Sequence, residues 1–139
     1  MPPTRRGPAR GFTLIELLVV VIIIGLLAAI AVPVFLGHRR HAYDAAAKSL
    51  IRSAASSIEA AATNGDYVTL TPAAVQAVEP GIAFSATADD AGQDQVKVSF
   101  TATGYTIVSV SQSGKTFTLT KDLAASPVVD RTCGAGCTW

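Results

Sequence analysis

The sequence predicts an α+β protein, with one long N-terminal α-helix and a small antiparallel β-sheet head packed on the helix's C-terminal half. Three observations carry that expectation. Residues 17–36 form an uncharged run of 20 in which only Gly25 and Pro33 fall outside the apolar set. Residues 43–61 repeat apolar side chains at three- and four-residue steps, the mark of an amphipathic helix. From Asp66 onward the pattern changes to the alternation of Val, Thr and aromatic residues expected of strands. The 139 residues carry 11 Lys and Arg against 10 Asp and Glu, so the chain is neither a polycation for nucleic acid nor an acidic disordered tail. That length accommodates one modest domain with an extension and is short for a two-domain enzyme.

The first 11 residues hold Arg5, Arg6 and Arg10 and no acid. A cationic head of this kind is expected to stay on the cytoplasmic side of a membrane, although His38-Arg39-Arg40-His41 offers an opposing charge beyond the apolar run. As a helix, the run spans roughly 30 Å and crosses a bilayer once. It exceeds the ~7–15 residues of a signal-peptide core, and no small-x-small site followed by a mature sequence ends it cleanly. Glu16 is set into this otherwise apolar helix. A charge near the centre of a membrane helix costs about 2.5–3.5 kcal/mol, less at the interface, so Glu16 needs a partner.

The segment Gly11-Phe12-Thr13-Leu14-Ile15-Glu16, following a short basic leader, closely resembles the class III leader and N-terminal helix of type IV prepilins. The resemblance covers about residues 10–63, with Gly25 and Pro33 where that family tends to have them, and is only architectural beyond Thr63. It implies cleavage between Gly11 and Phe12 by prepilin peptidase, N-methylation of Phe12, and subunit assembly through Glu16 meeting the Phe12 amine of a neighbouring copy. The local alternative for Glu16 is the helix dipole, worth roughly 0.3–1 kcal/mol in the first turn, or its own Phe12 amine. For Gly25 and Pro33 the resemblance implies loss of helix between them in a filament; the alternative is a simple kink, which membrane helices tolerate. Loss of Arg5, Arg6 and Arg10 with the leader changes the formal charge from +1 to −2.

The implied organisation is a cleaved leader at 1–11, a long helix at 12–64 and a globular head at 65–139 with a C-terminal Cys loop. Within the helix, 12–36 would be the membrane or filament core and 37–64 the amphipathic part. Tyr43, Ala47, Leu50, Ile51, Ala54, Ile58 and Ala61 form the apolar stripe. Asp44, Lys48, Arg52 and Glu59 are expected off it, with Asp44 and Lys48 as an acid-before-base pair at four-residue spacing. Asn64-Gly65 supplies the stop, so a continuous helix over 12–63 would be about 78 Å long. Only lipid or identical helices can satisfy its first half.

In the head, Thr71-Pro72 opens a short helix to residue 78, with Thr as N-cap and Pro at the first position. Residues 82–87 are expected to form an edge strand. Val96, Val98 and Phe100 alternate with Lys97, Ser99 and Thr101, and 105–111 and 116–120 continue the strand pattern. Thr103-Gly104 and Gln112-Ser113-Gly114-Lys115 supply turns, giving three or four antiparallel strands. Cys133 and Cys137 frame Gly134-Ala135-Gly136 and suggest a small disulfide clasp, with free thiols or a two-ligand metal site as alternatives. Closing five residues would contribute roughly 2 kcal/mol on the loop-entropy model.

No catalytic, cofactor or metal site is expected. Ser113-Gly114-Lys115-Thr116 imitates the end of a phosphate-binding loop, but the required earlier glycine is Ser109. Asp89, Asp90 and Asp94 lack the Glu that a calcium loop places at the twelfth position, here Phe100. His38 and His41 share a helix face without further ligands, and 2 histidines leave no third for a triad. The reading is a structural pilin of an extracellular type IV pilus, stored in the cytoplasmic membrane as a single-span precursor and then built into a cell-surface filament.

The partners the resemblance implies are the chain itself as a helical homopolymer, prepilin peptidase, the pilus assembly platform with its ATPase machinery, and membrane lipid before assembly. Adhesion, motility and DNA uptake are the family's roles. The head's four basic residues, Lys97, Lys115, Lys121 and Arg131, are outnumbered by acids, so any contact with DNA or surfaces is expected to be weak and steeply salt-dependent. The alternatives are a pseudopilin of a type II secretion or competence machine, and a non-assembling single-span membrane binding protein.

Overall fold

The computed structural model describes residues 11–62, 65–86, 95–134 and 137–139, and the chain divides into two compact units, 1–37 and 38–139. Helix α1, Leu14–Ala61, passes through the boundary between them. It starts after Thr13, whose Oγ1 accepts the Glu16 N–H at 3.3 Å. That bond is half of a capping box, with Thr at the cap and Glu three residues on, and it satisfies one of the otherwise orphaned N–H groups of the first turn. Neither Gly25 nor Pro33 interrupts the helix. In the first unit, the large apolar side chains of residues 14–36 are 46–82% exposed, and this stretch is long and apolar enough to cross a membrane.

In the second unit α1 behaves differently. Ala47, Ile51, Ala54 and Ile58 are buried, at the three-four spacing that keeps one helix face against a sheet. That sheet has five strands in the order β1-β2-β3-β4-β5: Ala83–Ser85, Gln95–Thr101, Gly104–Val110, Thr116–Asp122 and Val129–Cys133. Its inner face follows from the two-residue period. Val98 pairs with Ile107, and Ile107 with Leu119, so one buried row crosses the three central strands. Tyr105 and Phe117 extend the same face, and Tyr67, Val75, Ile82 and Phe84 close the core from outside the central strands.

Helix α2, Pro72–Val78, begins as expected: Thr71 Oγ1 accepts the Ala74 N–H at 3.2 Å and Pro72 opens the first turn. Two features depart from the expectation of three or four antiparallel strands. Strand β1 lies at the edge but runs parallel to β2, a direction that alternation does not encode, since it marks a face and not a sense of the chain. Strand β5 is an additional antiparallel edge strand on β4, and its residues Val129, Asp130, Arg131 and Thr132 are all exposed. With neither face buried, β5 carries no apolar rhythm to read.

Gly104 closes the β2–β3 hairpin, paired with Thr101 across two intervening residues. A Cβ there would lie 1.8 Å from the Lys121 carbonyl oxygen of β4, so no other residue fits without moving a central strand. At the β3–β4 turn Gly114 has φ +87°, the left-handed region that glycine enters without steric cost. We expect Gly104→Ala to destabilise the fold by roughly 1–3 kcal/mol, as overpacking does, and Ile51→Ala by roughly 2–5 kcal/mol. Gly134→Ala, which meets open space, should be near neutral. Thermal unfolding of the three purified variants checks the ranking, and equal melting temperatures for Gly104→Ala and Gly134→Ala would contradict it.

Candidate functional site

The first unit carries the processing and assembly residues that the sequence singles out, and the cysteine pair lies in the second. Gly11 and Phe12 lie outside regular structure, immediately before α1, and both are exposed, so the peptide bond joining them is accessible. Glu16 is exposed in the first helical turn, and its own N–H is capped by Thr13. A carboxylate here sits where the helix's unsatisfied N–H groups favour negative charge. Around it, Leu14, Ile15, Leu17 and Leu18 are all exposed.

Two carboxylates of the second unit, both expected off the apolar stripe, prove to be anchors between α1 and the sheet. Asp44 is only 7% exposed. Its Oδ1 accepts hydrogen bonds from Ser111 Oγ at 2.8 Å and from Ser113 Oγ, and its Oδ2 meets Lys115 Nζ at 3.1 Å. Burial pushes this carboxyl upward, but the hydroxyl bonds from Ser113 and Ser111 and the bond and charge of Lys115 outweigh it and hold its pKa below the ordinary value. The expected pairing of Asp44 with Lys48 is therefore not formed. Lys48 Nζ instead donates to the Thr138 carbonyl at 2.6 Å and lies 5.2 Å from the centre of the Phe117 ring. The reason is legible in the spacing: Asp44 stands three residues before Ala47 and so shares the buried face.

Glu59 is the second anchor. Its Oε1 accepts from Tyr105 Oη at 2.8 Å and Lys121 Nζ at 2.7 Å, and its Oε2 accepts from Tyr67 Oη at 3.1 Å. Tyr67 and Tyr105 meet edge to face at 5.5 Å. Burial raises this carboxyl, while the bonds from Lys121, Tyr105 and Tyr67 and the Lys121 charge lower it further, for a net fall. Burial and the bond to Glu59 push the Tyr105 phenol well up, so it stays a neutral donor. The bonds to Glu59 and Tyr67 raise Lys121.

The C-terminal segment is fastened separately. Cys133 and Cys137 form a disulfide, Trp139 Nε1 donates to the Thr132 carbonyl at 2.5 Å, and the indole packs edge to face on Phe117 at 5.9 Å. Ser113-Gly114-Lys115-Thr116 is a hairpin turn, closed by the Ser111 N–H bond to the Lys115 carbonyl. His38 and His41 are exposed on α1. Among the described residues no group of three or more His, Cys, Asp and Glu side chains could hold a metal ion. Asp89, Asp90 and Asp94 lie outside the described residues.

Comparison with known proteins agrees with the first unit's character. Residues 6–32 match the model of the prokaryotic N-terminal methylation motif. Two fimbrial proteins of Pseudomonas aeruginosa are 34% identical to this chain over 108 residues, covering 76% of this chain and 69% of theirs. The chain belongs to the type IV pilin family. No solved structure matches this pilin significantly. Family membership points to a structural protein rather than an enzyme, and to one that self-assembles.

The anchors make this pilin's stability depend on pH at both extremes. Asp44 and Glu59 have folded pKa values below their unfolded ones, so their contribution is present above about pH 4 and is lost as pH falls through the folded values. Lys121 is raised, so its contribution is complete below about pH 10 and is lost as pH rises through its folded value. We expect a melting-temperature plateau between these limits and a shallower acid limb in Asp44→Asn/Glu59→Gln. An acid limb of unchanged steepness in that double variant would contradict the assignment.

Proposed function

We propose that this pilin is the structural subunit of an extracellular type IV pilus. In this reading prepilin peptidase cuts between Gly11 and Phe12, the new Phe12 amine is methylated, and the precursor waits in the cytoplasmic membrane with residues 12–36 in lipid. The observation that carries it is the exposure of the apolar side chains across residues 14–36, with one carboxylate among them. Burying that surface stabilises at about 25 cal/mol per Å² relative to water, and lipid or other copies of the same helix can supply the burial.

Glu16 is what selects between those two surroundings. In lipid its charge is costly; beside the Phe12 ammonium of a neighbouring copy the two charges cancel in the only register that brings them together. Extraction from the membrane is then the task of the assembly platform and its ATPase machinery. Gly25 and Pro33 cost about 1 and 3 kcal/mol in a helix interior, so the stretch between them is where α1 gives way first when neighbouring helices crowd it. The proposed organisation is leader 1–11, helix 12–64 and head 65–139. The resulting polymer lies at the cell surface.

We expect the mature protein to begin at Phe12 and to be one methyl group heavier than the unmodified chain, by intact mass. Glu16→Ala should be processed and inserted normally yet give few filaments in a shearing assay. Filaments at wild-type yield from Glu16→Ala, or a native protein that still begins at Met1, would overturn the proposal.

A further inference from the structure

The second unit is electrically polar along its helix. Strand β4 lies alongside α1, with Lys115 just before it bound to Asp44 and Lys121 near its end bound to Glu59. The two ion pairs are 15 helical residues apart, about 22 Å. At the Asp44 end an open cleft of about 470 Å³ is lined by His41, Lys48, Arg52, Lys115, Thr138 and Asp44 among others. Lys115 is already paired with Asp44, so Lys48 and Arg52 supply the uncompensated positive charge of the cleft, beside His41. Lys48 spends one donor on Thr138, and neither Arg52 nor His41 has a hydrogen bond or ion pair among the described residues.

At the Glu59 end the β4–β5 connection carries the opposite chemistry. Asp122 and Asp130 flank it, each held by a backbone N–H: Asp122 by Ala124 at 2.9 Å, Asp130 by Arg131 at 2.8 Å. Between them Leu123 and Val128 are 55% and 42% exposed. The connection thus presents exposed apolar side chains with an acid on either side, Asp122, Val128 and Asp130 line a hollow of about 300 Å³ on it, and its carboxylates are positioned before any partner arrives.

We propose that the β4–β5 connection of one copy docks into the basic cleft of another, with Asp122 and Asp130 facing Lys48 and Arg52. The proposal rests on the filament reading above and names a second contact within it. A copy cannot satisfy itself, because its own acidic connection and basic cleft lie at opposite ends of the unit. Two basic clefts repel each other, as do two acidic connections, so of these pairings the head-to-tail one is favoured. A head-to-tail contact that does not close into a ring propagates as a helical polymer. The contact gives the fibre a direction and a salt-sensitive outer layer, independent of the Glu16 pairing in its core.

The test treats sheared wild-type filaments with a zero-length carbodiimide, which joins only amines and carboxylates already in contact. The expected product is a peptide pair linking Lys48 to Asp122 or Asp130, absent from detergent-solubilised monomer; because these residues are far apart in one copy, it must join two copies. In parallel, Arg52→Glu and Asp130→Arg should each lower filament yield by about fivefold or more, and the combined variant should recover most of it. Filaments that lack the link, or single variants that assemble at wild-type yield, or a combined variant that is not rescued, overturn the docking while leaving the pilus reading standing. A processed wild-type protein that gives no filament overturns both.

Discussion

One helix must be satisfied in two kinds of surroundings, and the rest of the molecule answers to that constraint. Across residues 14–36 α1 exposes its large apolar side chains, whereas between Asp44 and Ile58 the same helix buries a narrow stripe under a sheet. Among the described residues of its own unit nothing covers the apolar area of the first half, and leaving that area in water is unfavourable. The second half needs no membrane. A chain so divided is suited to a life that begins in lipid and ends in an assembly of its own copies.

The sheet's hold on α1 is what lets the second half serve as a rigid base. Apolar packing alone leaves one ambiguity, because the stripe repeats after seven residues, Ala54 following Ala47 and Ile58 following Ile51. Asp44 and Glu59 remove it. Each carboxylate is matched to particular donors, Ser111, Ser113 and Lys115 at one end and Tyr67, Tyr105 and Lys121 at the other. A shift along the helix would strand a buried charge and several hydroxyls at once, a cost of about 1–3 kcal/mol for each unpaired group. The disulfide and Trp139 fix the tail over Phe117 in the same manner, by a few specific contacts at the sheet's border.

Much of this was legible in the sequence. The uncharged run, the stripe from Tyr43 to Ile58, the Thr71-Pro72 helix start and the glycine turns follow from periodicity and capping, which are local rules. The processing motif is likewise a contiguous string. What escaped was non-local. Asp44 and Glu59 look solvated in the sequence because their cationic partners, Lys115 and Lys121, are 71 and 62 residues away, donors that the fold alone brings near. Strand β5 escaped because an edge strand with no buried face has no alternation, and the parallel direction of β1 escaped because a strand's pattern reads the same in either sense. The Asp44 case held one neglected clue, since its three-residue step to Ala47 already placed it on the buried face.

The measurement that bears most directly on the central claim is a reconstruction of the native filament by electron cryo-microscopy. Residues 14–36 of every copy should be buried against the same residues of other copies, with Glu16 beside the Phe12 amine of a neighbour and the sheets outermost. A fibre in which that segment faces solvent, or surface filaments from which this chain is absent, would contradict it.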